Sequence, residues 1–147
     1  MMTMRTSALR SWLFVHPDLD RSRVEESGLV LAPDGGIATA TGDAAVRQGL
    51  LLLLSTSPGE RIMRPAYGCD LRKLVFSPND YTTAGLARHY VRRAVERWEP
   101  RVRILSIDAG PDPQVAERLS ISLNYEVLAS RRSAQLAFVL NLSGDAI

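Results

Sequence analysis

Cysteine is almost missing from this chain. Cys69 stands alone, so no internal disulfide can form and no cysteine-based metal site can be assembled, and a reducing compartment is the simplest setting. Lysine is equally scarce, Lys73 being the sole one among 18 Lys and Arg. Arginine suits fixed, bidentate contacts, although a GC-rich coding bias gives the same composition and is the favoured cause. Imidazoles are confined to His16 and His89. No Ser-His-Asp or Cys-His order, HExxH spacing or Gly-rich phosphate loop accompanies them, so neither catalysis of those kinds nor a cofactor is expected. Aromatic residues make up 6% of the chain, which leaves few platforms for base stacking. The apolar run Leu50 to Leu54 is far shorter than the ~20 residues that span a bilayer. Arg5 and Arg10 are not followed by the apolar core of a signal peptide. The expectation is a soluble, cytoplasmic protein with no membrane insertion.

What is present fits one globular domain: 147 residues, 46% hydrophobic and 23% charged, with a net charge of +2 and a pI near 9.0. Residues 1–27 read as an N-terminal arm whose apolar patch, Trp12 to Val15, could add a strand or bind a partner. Residues 28–147 read as a single α+β domain, with helices packed on a mainly antiparallel sheet. Pro33-Asp34-Gly35-Gly36 predicts the turn of a small hairpin over Gly28 to Ala40. Thr41 or Asp43 can cap a helix from about Ala44 to Thr56, where Val46, Gly49, Leu50, Leu53 and Leu54 define one apolar face. Leu51 and Leu52 lie outside that face, so the helix is apolar nearly all round and should be buried on more than one side. Between Ser57 and Asp70, Pro65 and Gly68 predict a fixed irregular connection. Leu71, Leu74 and Val75 suggest a helical turn. From about Asp80 to Trp98, Ala87, Val91, Ala94 and Val95 follow helical spacing, opposite a face carrying Arg88, Arg92, Arg93 and Arg97.

Beyond Trp98 the period becomes two. Val102 and Ile104 are followed by Leu105 and Ile107 in the opposite phase, which predicts a bulge or burial on both faces. Leu119, Ile121, Leu123, Tyr125 and Val127 alternate without fault, and Leu136, Phe138, Leu140 and Leu142 alternate again. If this last strand lies at a sheet edge, its backbone is open to another chain, whereas a central strand would only close the fold.

The joint between the two halves is Trp98-Glu99-Pro100-Arg101. Proline ends the helix and drives Glu99 toward an extended conformation, so a carboxylate and a guanidinium flank one rigid corner. They could offer an acceptor pair and a donor fork to a partner surface, or form a weak surface pair in solvent. Two further readings use the charged residues differently. Glu60 with Asp70 or Glu99 could be imagined as a cell-wall glycosidase pair, but ion pairing of Glu60 is the cheaper explanation. The arginine face with Arg61, Arg64 and Arg72 could form a nucleic-acid patch, but no recognised motif accompanies it and no nucleic acid is expected.

Thr56-Ser57-Pro58-Gly59-Glu60-Arg61-Ile62-Met63-Arg64-Pro65 with Tyr67-Gly68-Cys69, then Glu99-Pro100-Arg101 after a helix and the strand around Leu123-Asn124-Tyr125, resembles the baseplate-wedge, or sheath-initiator, family. Its members belong to contractile phage tails and related injection systems and include the TssE component of type VI secretion. The resemblance covers roughly Gly28 to Leu142. It implies a non-enzymatic structural subunit, although members have been labelled lysozyme-like. It implies wedge docking through Glu99, Pro100 and Arg101, a structural motif at Gly59, Glu60, Arg61, Met63, Pro65 and Gly68, and strand exchange with sheath subunits through Leu136, Phe138, Leu140 and Leu142. Expected partners are the larger wedge subunits and the sheath protein, with tube or spike-hub proteins as further candidates. The segment Ser130 to Phe138 resembles the end of the extracellular-injection branch but departs from its aromatic-proline ending.

Overall fold

The computed structural model describes residues 10–12, 14–15, 28–29 and 31–144. Its centre is an antiparallel sheet of β5 (Val102–Pro111), β6 (Arg118–Val127) and β7 (Arg132–Asn141), with β6 in the middle. The alternation in β6 gives the sheet two unlike faces: Leu119, Ile121, Leu123, Tyr125 and Val127 are buried, while the residues between them stay partly exposed. Leu136 and Leu140 of β7 lie on the same buried face, opposite Leu123 and Leu119. On the open face, Asn124 Nδ2 donates to Ser106 Oγ at 2.8 Å and Gln135 Nε2 to Ser122 Oγ at 2.7 Å. Polar cross-strand pairs therefore tie all three strands together on the wet side.

The phase reversal in β5 is a bulge. The register with β6 shifts between Ile104 and Ser106, Leu105 turns outward, and Ile107 returns to the core. One inserted residue thus lets the strand keep apolar side chains of both phases on the inner side.

Helices α1 (Asp43–Ser55) and α2 (Tyr81–Trp98) share their core with this inner face. In α2, Ala87, Val91, Ala94 and Val95 are buried and Arg88, Arg92, Arg93 and Arg97 exposed, the division expected from the spacing. Asp80 caps it by accepting the Thr83 N–H at 2.9 Å, and this bond holds the Asp80 carboxyl below its usual value. In α1, Val46, Leu50, Leu51, Leu53 and Leu54 are all buried, so the helix is central, as its apolar circumference requires. Its cap differs from expectation. Gly42, at φ 61, occupies the N-cap without a side-chain bond, because the chain enters the helix through a left-handed residue that favours glycine. Asp43 sits in the first turn instead, where its Oδ1 accepts from Ser130 Oγ at 2.8 Å. A 3₁₀ helix at Asp70–Leu74 precedes α2 and buries Leu71 and Leu74. No helix among the described residues is long and apolar enough to cross a membrane.

The turn at Pro33–Gly36 forms, with Ala32 N–H bonded to Gly36 O at 2.7 Å and a bridge between Leu31 and Ile37. Its flanking strands, however, pair with the preceding stretch: β3 (Gly28–Leu29) with β2 (Phe14–Val15), and β4 (Thr39–Thr41) with β1 (Arg10–Trp12). An isolated two-stranded hairpin is marginal in water, and added strands supply further pairing. The rest of the expected arm lies outside the described residues.

Residues 56–69 form a closed loop. Gly59 N–H bonds to Pro65 O at 2.7 Å and Cys69 N–H to Thr56 O at 2.8 Å. At Gly68, φ is 138° and a Cβ would lie 2.5 Å from Thr56 O, so only glycine fits there. Gly68→Ala should destabilise the fold by about 2–4 kcal/mol, from backbone strain plus displacement of the Thr56 strut, read as a fall in the urea midpoint. Burial pushes the neighbouring Cys69 thiol from 9.0 up to about 12. Native protein should therefore resist thiol labelling at pH 8 and react once unfolded. The sign for stability follows: the folded state holds this proton above pH 9.0, so the contribution is complete below pH 9.0 and is lost as pH rises toward about 12. Equilibrium unfolding across that window checks it against a Cys69→Ala control.

Candidate functional site

The corner after α2 brings together groups far apart in sequence. Glu99 leaves the helix at φ −125° and ψ 78°, and Pro100 forbids a further turn. Residues i and i+2 of an extended chain share a face, so Glu99 and Arg101 meet. Arg101 Nε donates to Glu99 Oε1 at 2.6 Å and Nη2 to Oε2 at 2.8 Å. Glu99 is 6% exposed, whereas the Arg101 side chain keeps 34% of its surface in solvent. The bond to Glu99 raises the Arg101 pKa, against an opposing effect of burial. Both carboxylate oxygens are thus already engaged from within the chain, and only the outer part of the guanidinium is turned to solvent.

Gly49 of α1 makes this pairing possible. A Cβ there would lie 2.7 Å from Arg101 Nη2 and 3.1 Å from Glu99 Oε2. A glycine in a helix interior costs about 1 kcal/mol relative to alanine, and here the missing side chain is the space the ion pair fills. The sequence placed Gly49 on the apolar face of α1. The signal for its role was a glycine in mid-helix with no turn to make.

Beside the pair stand two aromatic rings, each under a cation. Tyr67 meets Trp98 edge to face at 5.4 Å between centroids. Arg61 Cζ lies 4.2 Å from the Tyr67 ring centre and Arg97 Cζ lies 4.9 Å from that of Trp98, both within cation–π range. Burial raises the Tyr67 hydroxyl pKa, with Arg61 pulling the other way. Between the loop and α2 runs a cleft of about 200 Å³, walled by Pro58, Gly68, Tyr90 and Trp98 and flanked by Arg93 and Arg97.

The remaining expected residues divide by role. Gly59 at φ 95° and Pro65, through its carbonyl, close the loop around Gly68. Glu60 pairs with Arg72 at 3.4 Å, and Met63 is exposed. Leu136, Leu140 and Leu142 are buried and Phe138 partly so. Among the described residues β7 is an edge strand, and Leu142 N–H bonds to Glu117 O at 2.8 Å. Hydrogen-bonded pairs alternate along an antiparallel ladder, so the even-numbered residues of β7 turn their backbone groups toward β6. The free edge therefore belongs to Ser133, Gln135, Ala137, Val139 and Asn141.

The geometry predicts an unequal response to substitution. Arg101→Ala leaves Glu99 buried without its cation and should cost about 3 kcal/mol, while Glu99→Ala should cost less because Arg101 keeps contact with water. Gly49→Ala should lower stability by roughly 1–2 kcal/mol despite its better helix propensity. In a Glu99→Ala, Arg101→Ala background, where the space is vacated, Gly49→Ala should become stabilising. Denaturant midpoints of the set form a cycle that checks the coupling.

Residues 40–132 match the model of the family described as baseplate wedge protein gp25. The baseplate wedge protein gp25 of Enterobacteria phage T4 is 28% identical over 75 residues, which is 51% of this chain and 57% of that protein. The aligned stretch thus spans little more than half of that relative. A crystal structure from Geobacter sulfurreducens, described as a candidate tail lysozyme, superposes with a TM-score of 0.65 at 31% identity over 81% of this chain and 100% of the other. The baseplate of the anti-feeding prophage contains a chain with a TM-score of 0.62 and 25% identity, over 93% of this chain and 91% of that one. With the loop, the corner and strands β5 and β6 all inside the residues that the family model matches, the chain belongs to the gp25 family of baseplate wedge proteins.

Proposed function

We propose that the chain is a structural subunit of the baseplate of a contractile injection apparatus. It docks to the larger wedge subunits at the corner of Glu99, Pro100 and Arg101, and it nucleates sheath polymerisation by strand pairing along β7. The observation that carries this reading is the free edge of β7, ten residues long and without a register break against β6. An unpaired edge supplies a register that identical subunits can copy one after another. The sheath strand would bond to the backbone of Gln135, Ala137 and Val139, while Leu136, Phe138, Leu140 and Leu142 hold β7 on the core. At the corner, the internal pair fixes Arg101 so that its outer surface meets the wedge already oriented, which lowers the entropy lost on docking.

A cell-wall glycosidase is the second reading, favoured by the description of the Geobacter relative. Against it, the carboxylates that could serve are each held by a cation: Glu60 by Arg72, Asp70 by Lys73 at 3.3 Å and Glu99 by Arg101. The purified chain should release no more peptidoglycan fragments than a Glu60→Gln, Glu99→Gln variant, and release by the native chain alone would establish the enzyme.

The test of nucleation exploits the geometry of the edge. Ala137→Pro removes an outward N–H without breaking the β6–β7 ladder, and proline is tolerated on such edges. The domain should still fold, and baseplates should assemble without extended sheath in electron micrographs. Phe138→Pro, which removes an inward N–H, should unfold the domain. Sheaths of normal length on A137P baseplates would refute strand templating.

A further inference from the structure

The loop that closes on Gly68 presents a feature its local chemistry does not call for. Arg61 to Arg64 form a turn, with Arg64 N–H bonded to Arg61 O at 3.3 Å, and its two central residues are Ile62 and Met63. Turn centres favour Gly, Pro, Asn and Asp, and a β-branched residue has no local reason to be there. Yet Ile62 is 96% and Met63 90% exposed. Single apolar residues at a surface are ordinary, but two adjacent ones at the tip of a pinned loop make a small projecting knob. The Gly59–Pro65 and Thr56–Cys69 bonds hold the base of the loop and keep its tip outward, and Gly68 allows the close approach to Thr56 O that the second bond needs. Arg61 and Arg64 flank the knob, and neither has a carboxylate in ion-pair range among the described residues, since the neighbouring Glu60 is taken by Arg72. Arg61 is further fixed against the Tyr67 ring.

From this we infer that Ile62 and Met63 form an anchor that inserts into an apolar slot, rimmed by carboxylates, on another protein subunit of the baseplate. The inference rests on the baseplate reading above and names a second contact, distinct from Glu99 and Arg101 and from β7. Shape and charge select the partner. The knob requires a slot about two side chains wide, the two guanidiniums without a carboxylate among the described residues require acidic residues on either side of it, and the preset backbone limits the entropy lost on docking. An anionic bilayer would offer similar chemistry. A protein slot fits better, because the knob is continuous through Arg61 and Tyr67 with Trp98 and the wedge-docking corner.

The experiment compares particles from cells whose sole copy of this chain is native, I62S/M63S or R61E/R64E. I62S/M63S should fold with an unchanged melting temperature, since the altered side chains are exposed, and R61E/R64E should fold with a slightly lower one, since it gives up the Arg61 contact with the Tyr67 ring. Each should fall by at least about tenfold in its ratio to other baseplate proteins, the loss expected when an anchor side chain is no longer buried. A photo-crosslinking residue at Met63 should link to an acidic segment of another subunit within intact particles. Incorporation of I62S/M63S at the native ratio would overturn the inference. So would loss of R61E/R64E alone, or binding of the native chain, but not I62S/M63S, to anionic vesicles without any subunit crosslink. Absence of the native chain from particles would instead defeat the baseplate reading.

Discussion

The bond between Glu99 and Arg101 is the constraint on which the rest of the arrangement depends. It sits where three parts of the chain converge: the end of α2, the start of β5 and the backbone of α1 at Gly49. A buried carboxylate is tolerable only with its charge met, and here a residue two positions along the chain, just before β5, meets it. That requirement fixes the direction in which the strand leaves the helix and how closely α1 approaches. Arg101 O in turn accepts the Leu128 N–H at 2.9 Å, so the corner also sets the register at which β5 joins β6.

Around this point the structure separates rigidity from contact. Gly59, Gly68, Pro65 and the Thr56 carbonyl hold the loop in place and present nothing of their own. Arg61, Ile62, Met63 and Arg64 are held out by them. The same division runs through β7, where even-numbered residues belong to the domain and odd-numbered residues to its boundary. A family motif read along the sequence mixes the two kinds, because residues that position others and residues left open to solvent alternate within a few places of each other.

Much of the fold was legible because it follows from local pattern. The faultless alternation of Leu119 to Val127 could only be a half-buried strand, and α2 was bracketed by Asp80 and Pro100. The bulge at Leu105 announced itself as a change of phase. What was not legible depended on approach through space. Gly49 looked like one small residue on an apolar helix face until Arg101 was seen to fill its missing side chain. The cap of α1 was assigned to side-chain oxygens, since sequence does not show that Gly42 enters with positive φ. The sequence leaves Glu99 and Arg101 either as two groups offered outward or as a weak surface pair, and their union as a buried pair becomes visible only with the burial of Glu99. Which residues of β7 face outward is likewise a matter of ladder phase, set by a bond to Glu117 that no periodicity encodes.

The bulge in β5 has a consequence for the sheet as a whole. Of its two outer borders, one is broken at Leu105 and ends in Pro111, while the other is regular from Arg132 to Asn141. An incoming strand finds a continuous template on the second border and an interrupted one on the first. The sheet is therefore one-sided: a further strand meets a regular border only along β7, and under the nucleation proposed above that would place the chain at the start of a row of like subunits and not within it.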